Sequence, residues 1–391
     1  MTVALPRRKV SDLMCPPFVV SCVPCSSYDR EAVEVAVREA LRLCGSFPPL
    51  VAPVIIKANL LAPSDPSRAV TTHPEILRAL SMELIMAGCP DVMIGDNPGY
   101  IFRHQETELF RKTGVEEICR EIPARFGLLS RGGFAEVRPP KPGKLETIRF
   151  SADLLKAPCV IGVSKLKTHV ETEITGAIKN MFGAADTDTR KRAHGARSRN
   201  FLPEAIVDIF SVRVPDMFVL DAVEGMEGYG PSHGRARKVG WVAASPNGLA
   251  LDHVQAVIMG FSDPLSIPLL SVASGRIDGP RKRDDIELRG ASWEELPCRG
   301  FKRAPSAVRM IPPFLRGAAH QLVSLKPVLE IGACIRCGIC MEVCPVEAIE
   351  IPSAGWPLID RKRCVQCLCC HEMCPTGAMG ARESLLSRLL R

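Results

Sequence analysis

Two cysteine runs near the C-terminal end of the chain have the residue types and spacing of metal ligands. The first run is CIRCGICMEVCP, beginning at Cys334, and the second is CVQCLCCHEMCP, beginning at Cys364. Both follow the pattern C-x2-C-x2-C-x3-C-P, and an internal repeat of a ligand pattern is a specific signal. Thiolates at this spacing converge on one [4Fe-4S] cluster, whereas the fourth cysteine, next to proline, ligates the other cluster. The sequence therefore predicts two [4Fe-4S] clusters with crossed ligation.

The predicted ligands form two sets of four. The first set is Cys334, Cys337, Cys340 and Cys374, and the second set is Cys364, Cys367, Cys370 and Cys344. The alternative is a pair of zinc sites, in which cysteines usually occur as C-x2-C pairs without a third cysteine and a trailing proline. Cys369 is left over next to Cys370, and we interpret it as filler or as a weak alternative ligand.

The segment between the two runs is short. Nineteen residues separate Cys344 from Cys364, which is enough for a hairpin and too few for another domain. The whole module, about residues 328–380, resembles a bacterial two-cluster ferredoxin. Clusters of this type exchange single electrons, at potentials set by hydrogen bonds to sulfur and by exposure. We therefore predict redox function without a direction of electron flow.

A second group of chemistry-bearing residues follows short apolar runs upstream. Candidate anion-binding residues are Lys57 and Asn59 after PVII, and Lys165, Lys167 and Thr168 after CVIGV. Asp96 in GDNPG and His169 are candidates for proton transfer, since an imidazole titrates near physiological pH. The alternatives are an aspartate that caps backbone N–H groups and a histidine that serves as a hydrogen-bonding partner in a turn.

These polar residues need a scaffold that brings them together. Six runs have the composition of strands, namely FVVSCV, PVIIKANL, DVMIGD, PCVIGV, MFVLDAV and VGWVAAS, and they alternate with segments of helical periodicity. Such alternation predicts an α/β fold, with a mostly parallel sheet and flanking helices, followed by a small α+β dicluster ferredoxin-like domain. Ligands collect at the carboxyl ends of parallel strands, which is where the polar residues fall.

The stretch SKLKTHVETEITGAIKNMFG, residues 164–183, concentrates lysine and threonine before a predicted helix. Its periodicity predicts a helix that starts near Thr172, with Thr172 and Lys179 opposite an apolar face. A helix amino end carries free N–H groups and partial positive charge, which suit phosphate or carboxylate. The alternative is a capped amphipathic helix with solvated lysines.

Five segments carry a resemblance to a known family. KANLLAP, TTHPEILRAL, GDNPG, SKLKTHVETEITGAIKNMFG and GMEGYGPSHG occur in this order before the two cysteine runs. This arrangement resembles the domain of unknown function 362 family over about residues 18–270. The resemblance implies the fold and an iron–sulfur module, and it implies no particular reaction. The resemblance also implies that Lys191 and His194, in the basic segment that follows Gly183, belong to the functional site.

Composition limits the remaining possibilities. The 391 residues divide into a predicted α/β domain (1–300), a connector (301–327), the cluster domain (328–380) and a short helical tail (381–391). The formal net charge of +7 falls to roughly +3 once two clusters with four thiolates each are counted, and the basic runs lack aromatic residues, so we expect no nucleic acid. No apolar run is long enough for a membrane span or a signal peptide, so we expect a cytoplasmic protein.

The leading hypothesis is an iron–sulfur oxidoreductase. Its clusters would relay electrons to a small anionic substrate or to an additional, unidentified cofactor held at the strand ends. Lys57, Lys165 and Lys167 would hold the anion, while Asp96 and His169 would manage protons. The alternatives are a non-enzymatic electron carrier with a protein-docking domain, which would exchange electrons with a redox partner protein, and a cofactor maturation factor.

Overall fold

A computed structural model describes residues 18–45, 47–196, 200–304, 325–353 and 355–383. Most of the predicted connector (301–327) and of the predicted helical tail (381–391) lies outside the described residues. The domain boundaries proposed above therefore stay predictions.

The described chain up to residue 304 contains eleven strands, most of which form one large sheet. They are β1 (Phe18–Pro24), β2 (Val54–Lys57), β3 (Val92–Asp96), β4 (Arg125–Leu128), β5 (Phe134–Val137), β6 (Ile148–Ser151), β7 (Cys159–His169), β8 (Glu173–Thr175), β9 (Met217–Glu227), β10 (Arg235–Ser245) and β11 (Ile286–Arg289). The sheet runs in the order β11-β1-β10-β9-β7-β2-β3-β4, with β8 added to the end of β7. Neighbours from β9 through β7, β2 and β3 to β4 are parallel, whereas β10 is antiparallel to both β9 and β1. The predicted mostly parallel sheet is confirmed.

Ten helices accompany these strands in the same described part. They are α1 (Arg30–Leu43), α2 (Pro74–Met86), α3 (Glu106–Lys112), α4 (Val115–Glu121), α5 (Ala152–Lys156), α6 (Ala177–Asn180), α7 (Thr187–His194), α8 (Phe201–Val212), α9 (Gly248–Ile258) and α10 (Pro268–Arg276). Helices α1, α2 and α4 contribute to one buried apolar cluster, and α6, α8, α9 and α10 contribute to another. Successive strand residues point to opposite faces, so the sheet separates these two cores. Flanking helices on both faces agree with the predicted fold class.

The segment around residue 170 differs from the sequence prediction. Strand β7 continues to His169, and β8 turns back to pair with it, placing Lys167 opposite Thr175. Helix α6 therefore begins at Ala177, five residues later than predicted. The apolar residues that suggested a helix are buried as expected, but Ile174 is buried from a strand. Pairing with β7 overrides the local periodicity here.

The amino end of α6 is already occupied by a carboxylate. Asp252 of α9 accepts hydrogen bonds from the backbone N–H groups of Ala177, at 2.5 Å, and Ile178, at 3.1 Å. Asp252 is fully buried, and a Cβ atom at Gly176 would collide with its carboxylate. The prediction that this helix end binds an external anion is therefore wrong.

The C-terminal part is small and rich in strands. Strands β12 (Leu325–Leu329) and β15 (Met379–Glu383) pair antiparallel, as do β13 (Ile349–Glu350) and β14 (Leu358–Ile359). The β13–β14 pair is the hairpin predicted between the two cysteine runs. Each run ends in a one-turn helix, α11 (Ile339–Glu342) or α12 (Cys369–Glu372).

We predict that Asp252→Ala lowers the thermal midpoint by roughly 4–8 °C. Two buried N–H groups would lose their acceptor, at a cost of about 2 kcal/mol. The measurement is anaerobic thermal unfolding followed by circular dichroism, with Asp252→Asn, which keeps one acceptor, as the matched control. A midpoint for Asp252→Ala equal to that of the wild type would show that Asp252 does not support α6.

Burial also raises the pKa of Asp252 to about 7, although its two N–H donors oppose the shift. Because the folded-state pKa lies above the unfolded-state value, the contribution of Asp252 to stability is lost as pH rises toward 7. The thermal midpoint of the wild type relative to Asp252→Asn should therefore fall between pH 5.5 and 7.5. A constant difference over this range would contradict the raised pKa.

Candidate functional site

A cavity of about 130 Å³ lies at the carboxyl ends of β2, β3 and β7. We call it the strand-end cavity. The α/β part contributes charged and amide side chains from these strand ends and from α6 and α7. The C-terminal part contributes Val343, Pro345, Cys369, Glu372 and Met373. The cavity therefore has walls from both parts of the chain.

Asp96 is held at the cavity wall by a buried network. One carboxylate oxygen, Oδ1, lies 2.7 Å from Lys57 Nζ, and the other, Oδ2, accepts from the backbone N–H of Leu60 at 2.6 Å. Lys57 also donates to the Ala58 carbonyl and, at 3.3 Å, to Asn180 Oδ1. Its three N–H bonds are thus committed within the protein. This corrects the prediction that Lys57 holds the anion directly, because Lys57 supports Asp96 instead.

Lys165 also lies away from the cavity lining. Its ammonium donates to Asp221 Oδ2 at 2.9 Å and to the Tyr28 hydroxyl at 2.5 Å, and Tyr28 in turn donates to Asp221 Oδ1. Alternation along a strand would put Lys165 and Lys167 on the same face, but the pairing of β7 with β9 shifts register between them. Lys165 therefore joins a closed buried network, which corrects its predicted role as an anion ligand.

The two threonines predicted to bind the anion have local roles. The Thr168 hydroxyl donates to the Met226 carbonyl at 3.3 Å and accepts from the Gly230 N–H at 3.2 Å. The Thr172 hydroxyl donates to the Ile174 carbonyl at 2.9 Å, within the turn between β7 and β8. Neither lines the cavity, and their predicted role in anion binding is not part of the function proposed below.

Four cationic side chains line the strand-end cavity: Lys167, Lys179, Arg190 and Lys191. Lys167 is 1 % exposed and donates to the Val70 carbonyl at 2.7 Å. Burial lowers the pKa of Lys167 to about 7, and it also lowers the pKa of Lys179. Arg190 was not among the residues predicted from the sequence, because nothing in the basic run RKRAHGARSR distinguishes it from its neighbours. The run forms much of α7, which turns Arg190 toward the cavity.

His169 is buried in the cavity wall with a defined tautomer. The backbone N–H groups of Glu171 and Thr172 donate to its Nδ1 at 3.1 and 3.3 Å, so the neutral ring carries its proton on Nε2. Burial, together with the charge of Lys179, holds the pKa of His169 well below its usual value. Its Nε2 lies 3.7 Å from Glu372 Oε2 and lacks a hydrogen-bond partner among the described residues. His169 is thus a neutral hydrogen-bond donor, and its role in proton transfer stays a prediction.

Several contacts fix the C-terminal part over the cavity. Glu342 is bound from two sides, by Arg103 at 3.4 Å and by Lys191, which donates to its carbonyl at 3.1 Å. The ring of His233 lies 3.0 Å from the carbonyl oxygen of His371 in α12. A Cβ atom at Gly99 would lie only 2.9 Å from Met373 Sδ, which explains why glycine suits this contact.

The cysteines gather in the two predicted sets. Cys334, Cys337, Cys340 and Cys374 line one small cavity. In the other set, Cys364, Cys367 and Cys344 lie close enough to Cys370 for their charges to raise its pKa further, beyond the larger effect of burial. Backbone N–H groups point at two of the sulfurs, from Ala348 to Cys344 Sγ at 3.2 Å and from Met379 to Cys374 Sγ at 3.4 Å. Four thiolates per set, with N–H donors to sulfur, fit [4Fe-4S] clusters.

The leftover cysteine has a definite position. Cys369 lines the strand-end cavity and hydrogen bonds with Cys367 of the second set. The basic residues of the cavity therefore lie next to the second set of cysteines. His194 also lines the cavity, and its ring is paired with Glu171 at 3.1 Å. The sequence alone gave no reason to connect Cys369 or Glu372 with the strand ends.

The fold and the cysteine sets define an α/β protein with a ferredoxin-type module. Residues 333–378 match the family described as 4Fe-4S dicluster domain. The chain belongs to the family described as Domain of unknown function (DUF362), which it matches over residues 54–257. Both parts of the resemblance stated from the sequence are confirmed.

Comparison with individual proteins gives more distant similarities. The chain is 29 % identical over 257 residues to the Thylakoid-associated protein sll1697 of Synechocystis sp., covering 64 % of this chain and 77 % of that protein. Solved structures that it resembles include a Thermotoga maritima protein, at 13 % identity and a TM-score of 0.38 over 63 % of this chain and 59 % of that one. Another is the lactate racemase apoprotein of Thermoanaerobacterium thermosaccharolyticum, at 13 % identity and a TM-score of 0.34, over 61 % of this chain and 57 % of that one. The chain thus spans less than two thirds of either solved structure.

We predict that the affinity of the cavity for sulfate rises as pH falls from 9 to 7 and then levels off. Lys167, with its pKa lowered to about 7, is neutral above this pH and cationic below it, which gives a slope of up to about tenfold per pH unit. Sulfate keeps its charge over this range, so the slope reports the protein. Anaerobic isothermal titration calorimetry measures it.

The matched variants for this titration are Lys167→Met and Lys156→Met. Lys156 is an exposed lysine at the end of α5 and does not line the cavity. The pH dependence should disappear in Lys167→Met and persist in Lys156→Met. A slope that survives in Lys167→Met would assign the titrating group elsewhere.

Proposed function

We propose that this protein is an iron–sulfur oxidoreductase that exchanges single electrons between its dicluster module and a small anion bound in the strand-end cavity. The supporting observation is that one cavity is lined both by basic strand-end residues and by Cys369 and Glu372 of the module. An additional anionic cofactor in this cavity would contact the same basic residues and the same residues of the dicluster module. An electron carrier that uses the α/β part only for docking would not need this cavity.

The assigned cofactors are two [4Fe-4S] clusters, on the cysteine sets defined above. When bound, such clusters supply one-electron transfer. The second set lies beside the cavity, since Cys369 lines it and Cys370 is the next residue. Electrons would therefore cross a short, protein-filled gap between the second cluster and the ligand.

The residues of the cavity have distinct proposed roles. Lys167, Lys179 and Arg190 bind the negative charge of the ligand, and their own desolvation makes a bound anion favourable. His169 donates a hydrogen bond from Nε2 and orients the ligand. Asp96 remains a candidate for proton transfer, held in place by Lys57.

The first cysteine set faces outward in this proposal. Cys337 is exposed, and Ile331 and Ile335 nearby are exposed as well, at 54 % and 64 %. An apolar surface beside an exposed cluster suits brief contact with a redox partner protein that carries single electrons. Electrons would then pass from this partner through both clusters to the ligand in the cavity, or in the opposite direction.

The proposal places the protein in the cytoplasm, where cysteines stay reduced. Among the described residues, no helix has the length and apolar character needed to cross a membrane. Nucleic acid is not part of the proposed function, since the cationic residues Lys167, Lys179 and Arg190 line a small cavity. The physiological partner is defined here only as a redox protein.

We predict that Lys167→Ala slows electron exchange with small anions and leaves both clusters in place. The cluster-loaded protein is reduced without oxygen, mixed with the anionic small-molecule fraction of a cell extract, and followed by visible absorption as the clusters reoxidise. Removing a cation that binds the ligand should slow this reoxidation at least tenfold. Iron and sulfide contents should equal those of the wild type.

Lys156→Ala is the matched control and should behave like the wild type. Equal reoxidation rates in the wild type and Lys167→Ala, at equal iron content, would contradict the proposed function. Loss of iron in Lys167→Ala would instead show that Lys167 supports the clusters, which also contradicts its assigned role.

A further inference from the structure

Two amide oxygens in the wall of the strand-end cavity lack hydrogen-bond partners among the described residues. They are Asn59 Oδ1 and Asn97 Oδ1, from side chains that are 8 % and 7 % exposed. Buried polar groups are almost always hydrogen bonded, so two such acceptors in one wall indicate that a ligand supplies the donors. The identity of this ligand rests on the proposed function, because it occupies the same cavity.

The orientation of the Asn59 amide is fixed by its neighbour. Asn180 donates from Nδ2 to the carbonyls of Lys57, at 3.3 Å, and Val163, at 3.1 Å, so its Oδ1 must be the acceptor that faces Asn59. Lys57 Nζ donates to the same oxygen. Asn59 must therefore present its Nδ2 to Asn180, which it does at 3.0 Å. Its Oδ1 is left as an acceptor that cannot be exchanged for a donor by flipping the amide.

The orientation of the Asn97 amide follows from the same reasoning. Its Nδ2 donates to the carbonyl oxygen of Gly183 at 3.0 Å. Flipping the Asn97 amide would place its Oδ1 against the carbonyl oxygen of Gly183, and two acceptors would then face each other. Asn97 Oδ1 is therefore also a fixed acceptor. The neighbouring Asp96 carboxylate accepts hydrogen bonds from the backbone N–H groups of Leu60 and Asn97 and from Lys57, so it donates none to the amide oxygens.

Other parts of the wall carry the opposite character. The cations Lys167, Lys179, Arg190 and Lys191 outnumber the lining carboxylates Glu372 and Asp96, and Asp96 is already paired with Lys57. His169 Nε2 and the Thr175 hydroxyl have no hydrogen-bond partner among the described residues. A ligand must therefore bring negative charge to these groups and hydrogen-bond donors to the two amide oxygens. An ammonium group would donate, but it would be repelled by the cations. A hydroxyl group donates without charge.

We infer that the strand-end cavity binds a small hydroxycarboxylate, whose carboxylate faces Lys167, Lys179 and His169 and whose hydroxyl donates to Asn59 or Asn97. The cavity of about 130 Å³ has room for roughly four water molecules and so for a ligand of a few carbons. A carboxylate without a hydroxyl would leave the amide oxygens buried and unpaired. Sites built to hydrogen bond a hydroxyl reject the analogue that lacks it.

The test compares matched acids that differ in one hydroxyl group. The pairs are glycolate with acetate, malate with succinate, and citrate with tricarballylate, each titrated into cluster-loaded protein without oxygen by calorimetry. We expect the hydroxy acid of the best-fitting pair to bind at least tenfold tighter than its partner. This comparison uses the wild-type protein and does not depend on the folding of a variant.

Two kinds of variant separate this inference from the proposed function. Either Asn97→Ala or Asn59→Ala, whichever removes the acceptor of the hydroxyl, should reduce the preference for the hydroxy acid to less than about threefold while both acids still bind. Lys167→Met should weaken both acids of a pair by a similar factor and keep the preference.

Each outcome is informative. Equal binding of both acids in every pair would overturn the hydroxycarboxylate inference and leave an anion site in place. A preference that survives in both Asn97→Ala and Asn59→Ala would overturn the assignment of the amide oxygens. If none of the six acids binds, the anion cavity itself, and with it the proposed function, is contradicted.

Discussion

The buried ion pair between Lys57 and Asp96 determines the shape of the site. Lys57 ends β2 and Asp96 ends β3, and the pair at 2.7 Å joins two parallel strands where they stop. Lys57 is 0 % exposed and Asp96 3 %, so neither charge is compensated by water. Removing one partner of such a pair typically costs about 3–5 kcal/mol, because the other charge stays buried alone.

The same pair organises the amides around it. Asn180 of α6 accepts from Lys57 and from Asn59, and it donates to the carbonyls of Lys57 and Val163. This network joins β2, β7 and α6 before any ligand is present. A cavity wall fixed in this way can orient a ligand without a further ordering cost. Among the amide oxygens of this wall, Asn59 Oδ1 and Asn97 Oδ1 have no hydrogen-bond partner in the described part of the chain, so they are the acceptors that a ligand would meet.

The position of the ferredoxin-type module completes the site. Its helix α12 and the contacts of Glu342, His371 and Met373 close the cavity from the side opposite the strands. Electron transfer is favoured by short distances, and the proposed function has one because the ferredoxin-type module forms one wall of the cavity. The cations of the cavity can offset negative charge on the ligand and on the nearby thiolates at once.

The predicted strands were found because they are continuous apolar runs, typical of strands buried on both faces. The cysteine sets were found because this ligand spacing, repeated within one chain, is specific to paired iron–sulfur clusters. The start of α6 was misplaced, since Glu173 to Thr175 pair with β7, and the pairing of distant segments is not contained in local periodicity. For the same reason the sequence could not distinguish Lys167, which lines the cavity, from Lys165, which is paired with Asp221.

Residues that meet only through tertiary structure were missed altogether. Arg190 approaches the cavity because its basic run forms a helix, and Glu372 approaches it because the module is docked. Asp252 of α9 accepts hydrogen bonds from the first backbone N–H groups of α6, a contact that no local sequence pattern indicates. Each case depends on a contact between segments far apart in the chain.

The central claim is that an anion bound in the strand-end cavity lies beside the second cluster. Pulsed electron–nuclear double resonance on reduced, cluster-loaded protein saturated with ¹³C-labelled malate measures the coupling between the cluster spin and the carbon nuclei. The account predicts a ¹³C coupling in the wild type and in Lys156→Met, and a weaker ¹³C signal in Lys167→Met at the same malate concentration, because this variant binds malate less tightly. Absence of ¹³C coupling in the wild type at saturating malate would contradict it.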